Sequence, residues 1–318
     1  MKLYDPITKD SIVHEVFRNC GANANTYTIR DIIARVNSAL DRFCHLAFQV
    51  DGRWSFDDIN ESSAPIDTQN IVSGTNEYKF SDFTEKIINL IKLTVLDGDA
   101  VEQSLTVESM DSLSQPFTEL YKSSNTGTPT HYLKYGDFIY LRPYPDYSEA
   151  NGLRAYFNRP ASKFDFETFT VTIAAPGVLT LAAHGLAIND TVMLETDGAL
   201  PTGLVVDTVY YIKALDGTTP DDKFTLAATK GGTAITTSGS QSGVHYLVET
   251  SKSPGIPEIY QPYLARYASL PYLVEKSLPQ VNAIASQIQL DELAIKDYFA
   301  NRDKDVRNII KPKITPFR

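Results

Sequence analysis

Residues 131–146 read His-Tyr-Leu-Lys-Tyr-Gly-Asp-Phe-Ile-Tyr-Leu-Arg-Pro-Tyr-Pro-Asp. Gly136-Asp137 separates two runs, 131–135 and 138–142, that are rich in aromatic and branched side chains. This is the pattern of a two-residue hairpin, and glycine in first place suits a type II′ turn. Pro143 and Pro145 have no N–H to give a ladder, so the second strand ends there or lies at an edge. Leu153–Asn158 reads as a third strand of the same meander.

Toward the N-terminus the strand signals continue. Short segments at 54–59, 67–72 and 76–80 are broken by Pro65 and Gly74. Residues 86–96 form a longer branched run, Asp97-Gly98 is a hairpin signal, and 101–107 alternates behind it. Before residue 51 the period changes to that of a helix. Ile12, Val13, Val16, Phe17 and Cys20 share one face of a helix over 9–20, with Thr8 as N-cap and Gly21 just past its end. Ile29, Ile32, Ile33, Val36, Leu40, Phe43 and Ala47 form the apolar stripe of a second helix over 29–48, capped by Thr28.

Composition shifts at about residue 166. From there to about 248 the chain is rich in Thr, Gly, Ala and Val, with short strands between Pro-Gly, His-Gly, Asn-Asp, Asp-Gly and Gly-Gly turns. That predicts an all-β module without a helix, inserted at a surface loop of a larger domain, where a long insertion costs little closure entropy. Helical signals return after Pro257. Residues 258–277 read as a helix or a pair interrupted at Pro262 and Pro271. Over 280–300, Val281, Ile284, Ile288, Ile295, Tyr298 and Phe299 fall largely on one face of a helix. Pro312 and Pro316 exclude a long helix at the end, which predicts an extended arm.

The expected class is therefore α+β. Helices in 1–50 and 251–300 form a small bundle, an antiparallel β-domain fills 51–165, an all-β module fills 166–250, and 301–318 is the arm. The 318 residues exceed one ordinary core, so more than one domain is the prior. No apolar run is long enough to span a membrane, and Met1–Pro6 lacks a signal-peptide core, so a cytoplasmic folding compartment is expected. Cys20 and Cys44 on apolar helical faces read as buried thiols, and five scattered histidines give no zinc pattern. Neither a metal nor another cofactor is expected.

Charge is distributed unevenly within a net −10. Residues 301–318 carry six basic and two acidic side chains, whereas 166–250 carry three basic and nine acidic. An acidic body disfavours tight nucleic-acid binding, which needs phosphates neutralised. It suits a wall past which DNA slides.

Three stretches carry a likeness to a known family. The first is Gly52-Arg53-Trp54-Ser55-Phe56-Asp57-Asp58 with Ala64-Pro65-Ile66 and Ile71–Tyr78. The second is Tyr135–Asp146 with the strand leading to Pro160. The third is Gly255-Ile256-Pro257 opening into Tyr-rich helices. In this order, between terminal helices and before a basic tail, they resemble the head-to-tail adaptor, or connector, proteins of tailed phages. The likeness covers roughly 1–165 and 250–318. Ala183–Leu186, Asn189–Val192, Gly198–Leu204, Val209–Ile212, Gly239, Gly243 and His245 resemble a small β-module found in phage tail and surface proteins.

The resemblance implies a non-enzymatic virion protein at the capsid–tail junction, assembled in the host cytoplasm. It would form a ring of identical copies, twelve by analogy, under the portal protein and above tail or neck proteins. Genomic DNA would pass through without specific binding, and no membrane is involved. The portal-binding arm would use Arg307, Ile309, Ile310, Lys311, Lys313, Ile314, Phe317 and Arg318, adding main-chain pairing and apolar anchors. Tyr260, Tyr263, Tyr267 and Tyr298 read as core plus subunit interface of such a ring, since Tyr buries area while keeping a polar tip. A tail-terminator or another neck protein is the nearest alternative.

Other candidate chemistry reads more simply as structure. His14-Glu15 has no second His at helical spacing, so no zincin site forms. Asp57-Asp58 with Glu61 lacks a Gly-bounded cation loop. Asp216, Asp221, Asp222, His184 and His245 sit at predicted turns. No Ser occupies a nucleophile elbow, and there is no P-loop or dinucleotide fingerprint. A glycan-binding reading of 166–250 rests on Tyr210, Tyr211 and Phe224 as exposed aromatics, and a depolymerising enzyme is the remaining alternative.

Overall fold

The structure, a computed structural model, describes residues 1–50, 60, 63–84, 87, 89–113 and 115–302. The chain is α+β and divides into two compact units. One contains residues 1–50, 60 and 161–302, and the other contains the described residues between 63 and 160. The strand expected at 54–59 and the carboxylates Asp57, Asp58 and Glu61 lie outside the described residues, as does the arm beyond Arg302.

The first unit opens with α1 (Ile12–Cys20) and α2 (Ile29–Val50). Ser11, not Thr8, caps α1: its hydroxyl accepts from the His14 N–H, while Asp5 takes the amides of Ile7 and Thr8. Gly21 ends the helix at φ 61°, a conformation that favours glycine. Thr28 accepts from the Asp31 amide at 3.1 Å and so caps α2 as expected.

The second unit contains β1 (Ile66–Ile71), β2 (Glu77–Lys79), β3 (Asn89–Leu96), β4 (Glu102–Ser104), β5 (Thr106–Glu108), the one-turn α3 (Phe117–Leu120), β6 (His131–Tyr135), β7 (Phe138–Arg142) and β8 (Glu149–Asn158). Two four-stranded sheets form, in the orders β1-β8-β3-β4 and β2-β7-β6-β5. Leu93, Val95, Leu153, Ala155 and Phe157 of one sheet and Tyr132, Ile139 and Leu141 of the other share one buried core.

The hairpin of β6 and β7 pairs Tyr135 with Phe138 around Gly136 at φ 61°. Two expectations for this unit need correction. β8 is not the third strand of that meander: it lies between β1 and β3 of the other sheet. The prolines end the β7 ladder, and β8 then finds two partners whose inward residues complete the core. Nor is the unit wholly antiparallel. The chain crosses between sheets at Leu105, so β5 runs parallel to β6.

The chain then returns to the first unit as β9 (Glu167–Val171), β10 (Val178–Thr180), β11 (Thr191–Thr196), β12 (Val209–Leu215), β13 (Lys223–Ala227) and β14 (His245–Glu249). These close into a six-stranded barrel in the order β10-β13-β12-β11-β14-β9. Phe169, Leu179, Val192, Leu194, Tyr210, Ile212, Phe224, Leu226 and Leu247 fill its interior, so it is a packed core rather than a pore. Gly198 lets the chain pass closely here, since a β-carbon on it would sit 2.2 Å from the Ser242 carbonyl oxygen.

α4 (Gln261–Glu275) and α5 (Val281–Arg302) follow. α4 packs against α1, α2 and α5. It is one helix, not two. Pro262 sits in its first turn, where no N–H is needed, and Pro271 lies inside it. The break expected at Pro271 does not occur because Ala268, Ser269 and Leu273 around it are fully buried against the neighbouring helices. Both thiols are buried, as their helical faces implied. Among the described residues no helix is long and apolar enough to cross a membrane.

Candidate assembly surface

The four tyrosines singled out in the sequence meet different fates. Tyr263 is 1% exposed, so it cannot contact another subunit and belongs to the core. It lies in the first turn of α4 and is buried with Leu264 and Ala268. Its hydroxyl donates to Glu292 Oε1 at 3.4 Å, and burial pushes its pKa well above the usual range. Tyr267 is half-buried beside it, with ring centres 5.8 Å apart. Tyr260 is half-buried between Phe43 and Tyr298, at 6.1 and 5.4 Å. Only Tyr298 is exposed, at 40%, with its edge toward Phe299.

A charged clamp fixes α5 beneath these rings. Arg42 Nε and Nη2 donate to the two oxygens of Glu292 at 2.8 and 2.9 Å, and Arg266 donates to Asp291 at 2.6 Å. The hydrogen bond from Arg42 holds the Glu292 carboxyl below its usual range. A carboxylate depressed in the folded state adds stability above its unfolded range and loses it as pH falls through the folded value. Arg42→Ala is therefore expected to cost about 1 kcal/mol at neutral pH, a figure already reduced for solvent screening. Urea unfolding should show that cost near neutrality and lose it as acid protonates the Glu292 carboxylate.

Sequence periodicity missed the outward face of α5. At 100° per residue, Leu290 and Leu293 lie with Ala283 and Ala294 opposite the buried Ile288, Ile295 and Phe299. Leu290 is 59% and Leu293 63% exposed. Their i,i+3 spacing was readable, but the stronger opposite stripe hid it. Helix α5 thus carries a buried apolar face and, opposite it, two leucines that the described residues leave exposed beside Ser286 and Asp297.

The barrel aromatics correct another expectation. Tyr210, Tyr211 and Phe224 are 4%, 8% and 1% exposed, so no sugar can stack on them. Tyr210 and Phe224 point into the barrel because alternate residues of its strands face inward.

The polar candidates act in local structure. Asp216 accepts from the Thr218 and Thr219 amides, which hold its carboxyl below the usual range. His184 accepts from the Leu186 amide and meets the Phe224 ring. His245 bonds Thr196 and Gln241, and burial lowers its pKa. His14 bonds Ser11 and stacks on Tyr4, while Glu15 pairs with Arg18. Among the described residues no His, Cys, Asp or Glu cluster could hold a metal ion.

No protein-family model matches this sequence, and no curated protein matches it.

Proposed function

We propose that this chain is a non-catalytic structural subunit that assembles into a ring at the junction of a phage capsid and tail. The observation that carries the reading is the pair of exposed leucines on the outward side of α5. A strip with Leu290 and Leu293, exposed among the described residues on a helix anchored by Ile288, Ile295 and Phe299, gains by meeting a second surface. In a closed ring each copy offers that strip to the next, a head-to-tail contact that leaves no strip bare.

Two features support the place of the ring. The order of terminal helices around a β-unit, over roughly 1–165 and 250–318, resembles the adaptor proteins, and 301–318 would supply a basic, apolar arm. The arm would dock on the portal, and many copies docking together multiply a weak contact through effective concentration. The acidic body would leave DNA unbound in the channel. In this scheme 166–250 is an inserted module on the tail side or the outer side of the ring.

Coexpression with a portal protein tests the reading. Elution of both chains as one ring-sized particle is expected. Separate elution at micromolar concentration would refute portal docking.

A further inference from the structure

Glu195 of β11 stands opposite Tyr246 of β14 in the ladder, so the two side chains share one face of the barrel wall. Their neighbours Leu194 and Leu247 point into the barrel, which makes this face the outer one. It carries a pocket of about 350 Å³ lined by Glu195, Tyr246, Thr196, Asp197, Phe166 and Arg30. Arg30 comes from the first turn of α2 and Phe166 from just before β9. All six belong to one compact unit.

The chain uses these groups only in part. The Glu195 side chain is 10% exposed, and the Arg30 guanidinium stays 3.6 Å from it, beyond hydrogen-bond length. Arg30 is 65% exposed and lies over the Phe166 ring at 5.9 Å. Among the described residues neither its guanidinium nor the Tyr246 hydroxyl makes a hydrogen bond. By contrast, Asp197 Oδ1 accepts from the Val244 amide at 2.6 Å, and the Thr196 hydroxyl meets His245 Nδ1 at 2.8 Å. Burial pushes the Glu195 carboxyl up to about 7, so near neutrality it accepts hydrogen bonds and, while protonated, can donate one.

The lining decides what could fill the space. A small anion would meet the carboxyl groups of Glu195 and Asp197, and a small cation would meet the guanidinium. A purely apolar molecule would strip water from Arg30 and Glu195 and return no hydrogen bond. A neutral polyol meets every demand. Its hydroxyls accept from Arg30, donate to Glu195 and bond the Tyr246 hydroxyl, while its C–H face lies against a ring. The volume is at the small end of the roughly 300–1,000 Å³ range of ligand pockets, which suits a single sugar ring.

We infer that this pocket binds one neutral sugar unit of a glycan, with Arg30, Glu195 and Tyr246 bonding its hydroxyls and the rings of Phe166 and Tyr246 forming its apolar wall. Tyr210, Tyr211 and Phe224, buried in other parts of the barrel wall, take no part. The site lies within one chain, so a monomer binds as a ring would.

Saturation-transfer NMR, read on the ligand, tests this on the full chain. The probes are the methyl glycosides of glucose, galactose, mannose and N-acetylglucosamine. At least one is expected to bind saturably, with a dissociation constant between about 0.1 and 10 mM for a ligand of this size. Arg30→Ala removes an exposed side chain and Tyr246→Phe a single unbonded oxygen, so both variants should keep the native circular dichroism spectrum and melting temperature. Arg30→Ala should weaken binding about tenfold and Tyr246→Phe about threefold, the scale of one charged and one neutral hydrogen bond. No saturable signal from any of the four glycosides, or binding that both variants retain in full, would overturn the proposal. So would methylguanidinium or inorganic phosphate, if either displaced the best glycoside at a concentration below that glycoside's own dissociation constant.

Discussion

A chain ending at Arg302 is expected to unfold at the same urea concentration as the full-length protein and to lose at least a hundredfold in apparent affinity for portal rings. The first half follows from the cores. Ile288, Ile295 and Phe299 are buried against the other helices before that point, and the barrel and the two-sheet unit have cores of their own. The second half follows from the chemistry of the removed residues. Ile309, Ile310, Ile314 and Phe317 offer apolar anchors, and Arg307, Lys311, Lys313 and Arg318 offer charge. In the proposed ring each arm alone would bind weakly and the copies would bind together, so losing every arm would remove the multiplied term. Pull-down and urea titration on the same preparation check both halves. Unchanged portal binding would remove the arm from the account.

Leu290→Asp combined with Leu293→Asp is the second large effect expected. Both positions are more than half exposed, so the substitutions should change monomer stability by no more than about 0.5 kcal/mol. At a subunit contact they would place two carboxylates in an apolar seam, where an unpaired buried charge costs several kcal/mol. Light scattering should find rings for the native chain and monomers for the double variant, with equal melting temperatures. The paired control is Ile295→Asp on the opposite face. Ile295 is fully buried, so that change should unfold the protein rather than dissociate it. Rings that survive the double substitution would place the contact elsewhere.

What the sequence disclosed was mostly local. The hairpin at Gly136 was legible because turn, register and alternation lie within twelve neighbouring residues. The caps at Thr28 and Gly21 were legible for the same reason. The destination of β8 was not, since its partners β1 and β3 lie more than fifty residues away and either sheet would accept its alternation. Tyr263 could not be assigned between core and interface, because a tyrosine on a helix reads alike as either until its neighbours are known. Only the fold brings Glu292 beneath its hydroxyl.

The β-module offers a contrast. Its boundaries near 166 and 250 followed from composition, and its six strands run from Glu167 to Glu249. Its closure into a barrel did not follow, because closure depends on the pairing of β9 with β10, which a two-residue overlap alone secures. Two of the aromatic side chains expected on its surface, Tyr210 and Phe224, became its filling once the sheet curled. It also shares a compact unit with the helices. The Leu3 and Tyr4 amides bond the Lys252 and Thr250 carbonyls just past the last barrel strand.

The central claim is that α5 of each copy meets its neighbour in a closed ring stacked on the portal. Electron cryomicroscopy of the assembled particle, with this chain placed in the map, tests it most directly. The expected image is a ring at the capsid vertex in which Leu290 and Leu293 lie against an adjacent copy. A map that places the chain away from that vertex, or leaves the outward face of α5 bare, would contradict it.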